Sequence, residues 1–311
     1  MMKIKKILLL LVLTGCTLTS NIPTVTKTNK PELTQTNAIS VTSLPTFTPT
    51  ITNLPAQSPT NTLQQTWTPI PTWTPLPTLE PTTAVLFVEE LLQNNDGCQL
   101  PCWWGITPGK TTWIEAKHFL DSFSNFMGVI GNPNDLQIAE FNIPAPEEIG
   151  SIEQLFEIRG SIVEAITHIY FGNLTTSYNL VNLLKTYGTP SDILISAYYE
   201  PRYTNYMVVV AVFYLQTGIL VEYNDNGGGL VGDKIEVCPQ EATYPHLDLW
   251  APSLNLSLNE ASDRYLDTRN WPAYRNIQEA TGMNVESFYS TFKEPNNESC
   301  LELSTTDWPK Y

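Results

Sequence analysis

A short glycine-containing stretch, Gly105 to Thr111, comes nearest in this sequence to a known ligand-binding pattern. It has the form Gly-x-x-x-Gly-Lys-Thr, one residue short of the phosphate-binding loop, which needs four residues between its glycines to wrap backbone amides around a phosphate. Pro108 also removes one of those amides. We therefore interpret the stretch as a turn that leads into a helix, and we predict that the chain binds no nucleotide.

Histidines and carboxylates are the other candidates for chemistry. The three histidines, His118, His168 and His246, are far apart in the sequence, and none shows the spacing of metal ligands. Glu147 and Glu148 are adjacent in a proline-rich loop, which places their side chains apart and in solvent. No serine lies in the elbow motif of the hydrolases. The sequence therefore predicts no catalytic residue, no metal site and no cofactor, and a chain that is not an enzyme.

Residues 1–16 have the three-part plan of a secretory signal. Lysines come first, and the apolar run Ile7 to Leu13 that follows is far shorter than the ~20 residues of a membrane span. The closing tetrad, Leu13-Thr14-Gly15-Cys16, resembles the lipobox of bacterial lipoproteins. This resemblance implies cleavage before Cys16, lipid on its thiol, and anchoring at the extracytoplasmic face of the cell envelope. The alternative is an ordinary cleaved signal with an incidental cysteine.

Four cysteines remain in the mature chain: Cys98, Cys102, Cys238 and Cys300. An even number in an exported protein indicates disulfide bonds, and four cysteines allow three pairings. The short spacing favours Cys98 with Cys102, which leaves Cys238 with Cys300 to close a long loop. The alternatives are the other pairings, or a zinc site that begins at Cys98. Zinc is disfavoured because Cys238 and Cys300 each stand alone, without a nearby histidine.

Residues 17–83 differ in composition from the rest, because threonine and proline make up about half of them. Proline at this density removes backbone donors, and no apolar period remains to bury a face. We predict a disordered tether of polyproline II character, on the order of 200 Å long when fully stretched, that holds the domain away from the envelope. A stalk carrying O-linked sugar and a proline-rich ligand for an aromatic groove are the alternatives.

The charge of the chain restricts its partners. The net charge is −15, from 16 basic and 31 acidic residues. Such a chain repels phosphate backbones, so we expect no nucleic-acid partner. Polybasic docking on anionic lipid is disfavoured for the same reason, which leaves the N-terminal lipid as the expected link to the membrane.

A cluster of aromatic residues between two predicted strands is the best candidate for a binding surface. Pro201 and Arg202 place it in a connecting loop. Exposed aromatic rings suit stacking on a glycan or packing in a protein interface. The alternative is that these rings belong to the core, where aromatic residues are most often found. The predicted patch, for a protein or glycan ligand, consists of Tyr198, Tyr199, Arg202, Tyr203 and Tyr206.

The apolar pattern of residues 84–248 predicts two cycles of one helix and about three strands, in units of about 105–172 and 173–224. The first helix is capped by Thr111 or Thr112. The second starts at Thr175 or Thr176, stops at Gly188 and precedes a meander that ends near Tyr223. A period of ~65–70 residues suggests duplication. In residues 249–311 the sequence predicts one helix capped at Ser257 or Asn259 and another capped at Asn284. We expect Cys300 to anchor this C-terminal segment to the body.

The fold class is therefore α+β: two helix-plus-antiparallel-meander repeats and a C-terminal helical appendix, behind a disordered tether. The helix that ends in Tyr187-Gly188-Thr189-Pro190 and leads into a meander resembles the SmpA/OmlA-type small lipoproteins and the tandem beta-lactamase-inhibitor-protein fold. Gly105-Ile106-Thr107 matches the helix opening of those families, and Gly131-Asn132-Pro133 is aligned with its close. The resemblance implies α+β units that bind proteins and carries over no catalytic residue.

The segment from Cys98 to Gly105 also resembles that of uncharacterised exported lipoproteins which join a Thr/Pro tether to a Cys-x-x-Pro-Cys-Trp-Trp-Gly pattern. No activity follows from this likeness. From the sequence we predict a lipid-anchored, extracytoplasmic lipoprotein with a non-catalytic binding or scaffolding domain. The alternative is an exported hydrolase that acts on envelope or extracellular polymer, which would require a cleft with two carboxylates or a histidine with a partner.

Overall fold

The computed structural model describes residues 78–309, apart from 148–149, 171–176, 203, 243, 267–273 and 295–298. The predicted signal peptide, Cys16, nearly all of the predicted tether and Tyr203 of the predicted patch therefore lie outside the described residues. Within the described ranges, the architecture is mixed helix and antiparallel sheet, as the sequence predicts. No helix of the described part is long and apolar enough to cross a membrane.

Short helices with side-chain caps surround the sheet. Thr112 and Ser257, each one of two predicted candidates, form a reciprocal capping box with a glutamate three residues on. Asn284 caps a third helix, as predicted. The second predicted helix is capped by Asn179, whereas Thr175 and Thr176 lie outside the described residues. The helices are α1 (Pro81–Asn94), α2 (Trp113–Leu120), α3 (Leu180–Tyr187), α4 (Leu258–Tyr265), α5 (Ile277–Thr281) and α6 (Val285–Phe292).

The strands form one long antiparallel path with the order β1-β2-β3-β4-β9-β7-β6-β5-β10, and β8 and β11 extend it from the end of β7. Helix α2 precedes the meander β1–β4, and α3 precedes β5, β6 and β7. The two series meet where β4 pairs with β9. The strands are β1 (Asn125–Gly131), β2 (Leu136–Pro144), β3 (Ser151–Arg159), β4 (Ile162–Tyr170), β5 (Asp192–Glu200), β6 (Asn205–Tyr214), β7 (Ile219–Val231), β8 (Lys234–Val237), β9 (Tyr244–Trp250), β10 (Arg275–Asn276) and β11 (Leu301–Ser304).

Successive side chains of each strand point to opposite faces of the sheet, and both faces are buried. On β6, Val210 and Val212 belong to the larger core with α1, α2, α3 and α6, whereas Ala211 and Phe213 belong to a smaller core covered by α4. Residues of β7 and β9 alternate in the same way, with Leu220 and Trp250 on the α4 side. A polar side chain on that side is therefore enclosed between the sheet and α4.

The structure differs from the sequence prediction in several elements. Gly131 ends strand β1 and does not close a helix, because α2 already ends at Leu120, so the proposed match of Gly131-Asn132-Pro133 to a helix close does not hold. Helix α1 begins at Pro81, inside the range assigned to the tether. The C-terminal segment adds strands as well as helices, since β10 pairs with β5 and β11 pairs with β8.

Both disulfide bonds have the favoured pairing. Cys98 and Cys102 have Cα atoms 5.8 Å apart, and Cys238 and Cys300 have Cα atoms 4.3 Å apart. The second bond joins the end of β8 to the start of β11 and so fixes the C-terminal strand to the extension of β7. Two disulfides are typical of proteins in an oxidising, extracytoplasmic compartment.

Candidate functional site

The predicted aromatic patch lies at the β5–β6 hairpin, where Tyr199 and Tyr206 are directly opposite each other. Their ring centres are 5.4 Å apart with an edge-to-face orientation, which aromatic pairs prefer. Tyr206 is only 1% exposed and belongs to the larger core. Burial, and then the neighbouring Tyr199, raise the pKa of the Tyr206 hydroxyl, so it stays protonated over the physiological range.

The described members of the predicted patch differ in exposure. Tyr198 and Tyr199 are half-buried, Tyr206 is buried, and of the members that the structure describes only Arg202 is exposed. Arg202 bonds the neighbouring Glu200 across 2.8 Å. The cause is strand alternation: Tyr198 and Tyr199 belong to β5 and point to opposite faces, so they cannot form one surface. Tyr203 lies outside the described residues.

A pocket of about 430 Å³ opens beside the Tyr199–Tyr206 pair. The rest of its lining comes from Leu230 at the end of β7, Gly232 in the β7–β8 turn and Thr305 just after β11. The backbone N–H of Thr305 donates to the carbonyl of Asp233 at 3.0 Å, which holds these two segments together. Leu230 is 48% exposed, so the pocket offers both apolar and hydroxyl-bearing surface to a ligand.

A second candidate site lies on the α4 side of the sheet, where β7 and β9 pair. Glu222 on β7 is directly opposite His246 on β9, and Asp248 follows two residues later on the same face. All three are buried, with 3%, 8% and 1% of their surfaces exposed. One ligand atom from each lies within 4.8 Å of the others. The register of two strands thus assembles a group that the linear spacing of the histidines did not indicate.

The imidazole of His246 lies between the two carboxylates. Its Nδ1 is 3.0 Å from Oε1 of Glu222, and its Nε2 is 3.7 Å from Oδ1 of Asp248. Tyr274 donates its hydroxyl to Oε2 of Glu222 at 3.3 Å. Oδ2 of Asp248 is buried without a hydrogen-bond partner among the described residues. Burial raises the pKa of Asp248 to about 6, although the neighbouring His246 lowers it.

A bulge in β4 brings His168 to the same place. The β4–β9 register shifts between Ile166 and Ile169, and His168 has φ +61°, which is uncommon for a residue other than glycine. Its backbone N–H donates to Oδ1 of Asp248 at 3.1 Å. Its ring centre is 5.5 Å from that of His246, so the fold brings together two histidines that are far apart in the sequence.

A cavity of about 160 Å³ lies next to this group, with both polar and apolar side chains in its walls. Helix α4 contributes Arg264, whose Nη2 donates to Glu157 of β3 and, at 3.0 Å, to Glu164 of β4. The cavity has room for about five water molecules. Its polar lining includes Glu157, Thr167, His168, Asp248, Arg264 and Tyr265.

The other residues considered from the sequence do not join either site. Glu147 is exposed and Glu148 lies outside the described residues. His118 lies on α2, and the Gly105–Thr111 stretch forms the turn before that helix. Glu236, Cys238 and Cys300 lie close enough to share a cation, but both sulfurs are in the disulfide bond and are not thiolates.

No known protein family, curated protein or solved structure matches this chain. The function is therefore inferred from the aromatic pocket and the His246 group.

A charged residue in an otherwise apolar strand is the signal that could have pointed to the second site. Glu222 follows Ile219-Leu220-Val221, and Asp248 separates Leu247 from Leu249. Polar side chains at such positions require a partner across the sheet.

Proposed function

We propose that this protein is a lipid-anchored, extracytoplasmic lipoprotein whose folded domain binds a ligand and does not catalyse a reaction. The observation that carries the proposal is the 430 Å³ pocket beside the Tyr199–Tyr206 pair. The lipobox-like tetrad at Cys16 and the Thr/Pro-rich residues 17–83 support an anchor and a tether that present this pocket away from the membrane.

A glycan is the ligand that suits the pocket best. Sugar rings present C–H groups on one face, which pack against aromatic rings, and hydroxyl groups at their edges. Tyr199 supplies an aromatic ring, Leu230 an apolar contact and Thr305 a hydroxyl. The acidic net charge of −15 also favours neutral or basic sugars over acidic polymers.

Binding of neutral oligosaccharides to the oxidised chain tests this function. We expect titration with a panel of gluco-, manno- and N-acetylglucosamine oligomers to change intrinsic fluorescence, with at least about tenfold weaker binding for Tyr199→Ala. Tyr198→Ala is the matched control, because Tyr198 is the neighbouring tyrosine on the opposite face of β5. Equal effects of the two variants, or no binding to any oligomer, would contradict the glycan-binding proposal.

The lipid anchor has a test of its own. In a bacterial host, the wild-type chain is expected to incorporate labelled palmitate and to partition into the detergent phase. Cys16→Ser removes the acyl acceptor, so the label and the partitioning are lost. Labelled lipid on the Cys16→Ser variant would show that the anchor has been assigned to the wrong residue.

We also infer that the two helix-plus-meander units arose by duplication. The strand path supports this, because α2 leads into β1–β4 and α3 leads into β5, β6, β7 and β9, with β4 and β9 adjacent at the centre. The second unit then extends to Trp250, beyond the limit near residue 224 that the sequence suggests, and β8 is an excursion from its meander.

An exported hydrolase is the second candidate function, and the His246 group is the observation that favours it. A histidine between two carboxylates, beside a cavity lined in part by polar side chains, has the composition of a general acid–base site. Hydrolysis of chromogenic esters or glycosides by the wild-type chain, lost in His246→Gln, would establish this function in place of simple binding. Activity that persists in His246→Gln would rule out this group as its source.

A further inference from the structure

The Glu222–His246–Asp248 group has an unbalanced charge that its described surroundings do not neutralise. Two carboxylates are almost fully buried there, and the imidazole is the basic group between them. Arg264, which lines the same cavity as Asp248, already bonds Glu157 and Glu164. Buried carboxylates are costly unless they are paired or coordinate a metal. A divalent cation would balance the two charges.

Asp248 supplies an independent sign of a missing ligand. It is 1% exposed and lines the cavity, and its Oδ2 has no hydrogen-bond partner within the described ranges. Its Oδ1 is 3.7 Å from Nε2 of His246, too far for a hydrogen bond. Two ligand atoms on one tetrahedral zinc ion, each bonded at about 2.1 Å, are about 3.4 Å apart. The separation of these two atoms is therefore close to that of zinc ligands.

The Nδ1 side of the His246 ring, which faces Glu222, is arranged as in zinc sites. A metal-bound histidine almost always donates its other ring N–H to a carboxylate or carbonyl, which fixes its tautomer and orientation. Nδ1 of His246 lies 3.0 Å from Glu222, and Glu222 is held in turn by the hydroxyl of Tyr274. Glu222 thus has the place of an orienting carboxylate, and Nε2 has the place of the metal ligand.

The third ligand comes from His168, which lines the same cavity. His168 is not one of the three residues whose ligand atoms lie within 4.8 Å of one another, so its ring must turn toward the ion. The bulge at φ +61° turns this residue out of the regular alternation of β4 and places its ring at the cavity. Two imidazoles on one zinc ion have ring centres about 5 Å apart, and those of His168 and His246 are 5.5 Å apart. A bulge beside a group of ligands is a common way to direct one side chain into a site.

We propose that this protein binds one Zn²⁺ ion through Nε2 of His246, the carboxylate of Asp248 and the imidazole of His168. Glu222 orients His246 through Nδ1. The fourth position faces the 160 Å³ cavity, where a water molecule can complete the tetrahedral shell. Metal binding here depends on neither the lipid anchor nor the aromatic pocket.

Zinc content of the full chain, prepared without an affinity tag and with its disulfides formed, tests the site. After chelation and dialysis against Zn²⁺, we expect one zinc ion per wild-type chain. Asp248→Asn and His246→Gln, which keep side-chain size, should weaken zinc binding at least about tenfold, and Glu222→Gln by about tenfold. His118→Gln is the matched control, since His118 lies on α2, and it should retain the wild-type affinity.

A measurement on the wild-type chain alone keeps the test valid if a variant fails to fold. The chain has three histidines, so their ring ¹⁵N signals can be followed individually. Zn²⁺ should shift the signals of His168 and His246 and leave that of His118 in place. Three outcomes would overturn the proposal: no zinc uptake, a shift confined to His118, or equal zinc uptake by folded Asp248→Asn. The last would place the ion elsewhere, and no uptake would leave His246 with its contacts to Glu222 and Asp248 alone.

Discussion

The backbone N–H of His168 donates a hydrogen bond to Oδ1 of Asp248 at 3.1 Å, although the two residues are 80 positions apart. This bond fixes the β4 bulge against β9 and accounts for how His168 keeps its left-handed conformation. A residue other than glycine at positive φ costs energy, and such strain persists where the surrounding structure holds it. The site is therefore built at some expense in stability.

His168→Gly and His168→Ala separate this strain from ligand binding. Both remove the imidazole, so both should lose zinc affinity at least about tenfold. Glycine accepts φ +61° without strain, so we expect the glycine variant to be about 1 kcal/mol more stable than the alanine variant in urea unfolding without metal. An alanine variant as stable as the glycine variant would show that the bulge is not strained.

Local signals in the sequence located most helices, whereas the candidate metal site depends on long-range register. Thr112, Ser257 and Asn284 were among the predicted caps, with Thr111 and Asn259 as alternatives, because capping requires only a side chain and the next turn of backbone. Glu222 and His246 meet because β9 pairs with β7 after the excursion through β8. No local pattern specifies that pairing, so the histidines seemed unrelated in the sequence.

The described members of the predicted aromatic patch do not form one exposed surface. The sequence indicated the tyrosines around the β5–β6 connection, and Tyr199 and Tyr206 do line a pocket there. The sequence did not show that Tyr198 points to the other face, or that Leu230 and Thr305 complete the wall from distant segments. Which face of the sheet a side chain points to depends on where the strand begins its alternation. An irregular loop between two strands hides that starting point in the sequence.

Arg264 should stabilise the α4 side of the sheet through its bonds to Glu157 and Glu164, which are mostly buried. Arg264→Met leaves both carboxylates without this partner, and we expect it to cost about 2–3 kcal/mol of unfolding free energy. Arg159→Met is the matched control, because Arg159 also bonds Glu164 but is half-exposed, and should cost under about 1 kcal/mol. Similar losses of unfolding free energy for the two variants would mean that burial does not strengthen the ion pairs of Arg264.

Asn95 organises the Cys98–Cys102 turn. Its Nδ2 donates to the carbonyls of Cys98 and Cys102, and its Oδ1 accepts the buried backbone N–H of Trp104 at 2.8 Å. Asn95→Ala leaves these groups unsatisfied, and we expect a loss of about 3 kcal/mol in chemical unfolding. Its neighbour Asn94 is exposed and accepts one local bond, so Asn94→Ala should cost under about 1 kcal/mol. A larger loss of stability for Asn94→Ala than for Asn95→Ala would disprove this role of Asn95.

The two disulfides should contribute unequally. Cys238–Cys300 spans 62 residues and Cys98–Cys102 spans 4. Loop-closure entropy then gives about 4 kcal/mol for the long bridge and about 2 kcal/mol for the short one. We expect the paired alanine variant of Cys238 and Cys300 to unfold at distinctly lower urea than that of Cys98 and Cys102. If the two variants had equal urea midpoints and equal denaturant slopes, the disulfides would not stabilise the fold mainly through loop-closure entropy.

The capping box of α4 should make part of the stability depend on pH. The side-chain hydroxyl of Ser257, and then its backbone N–H, bond Glu260 and lower the pKa of its carboxyl. A carboxyl with a lowered pKa stabilises the fold above its unfolded value, and this contribution is lost as the pH falls through the folded value. We therefore expect the wild type to exceed Glu260→Gln in stability at neutral pH and the difference to shrink on acidification. Urea unfolding of both proteins across the acidic range measures it. A difference that is constant with pH would show that the cap acts without its charge.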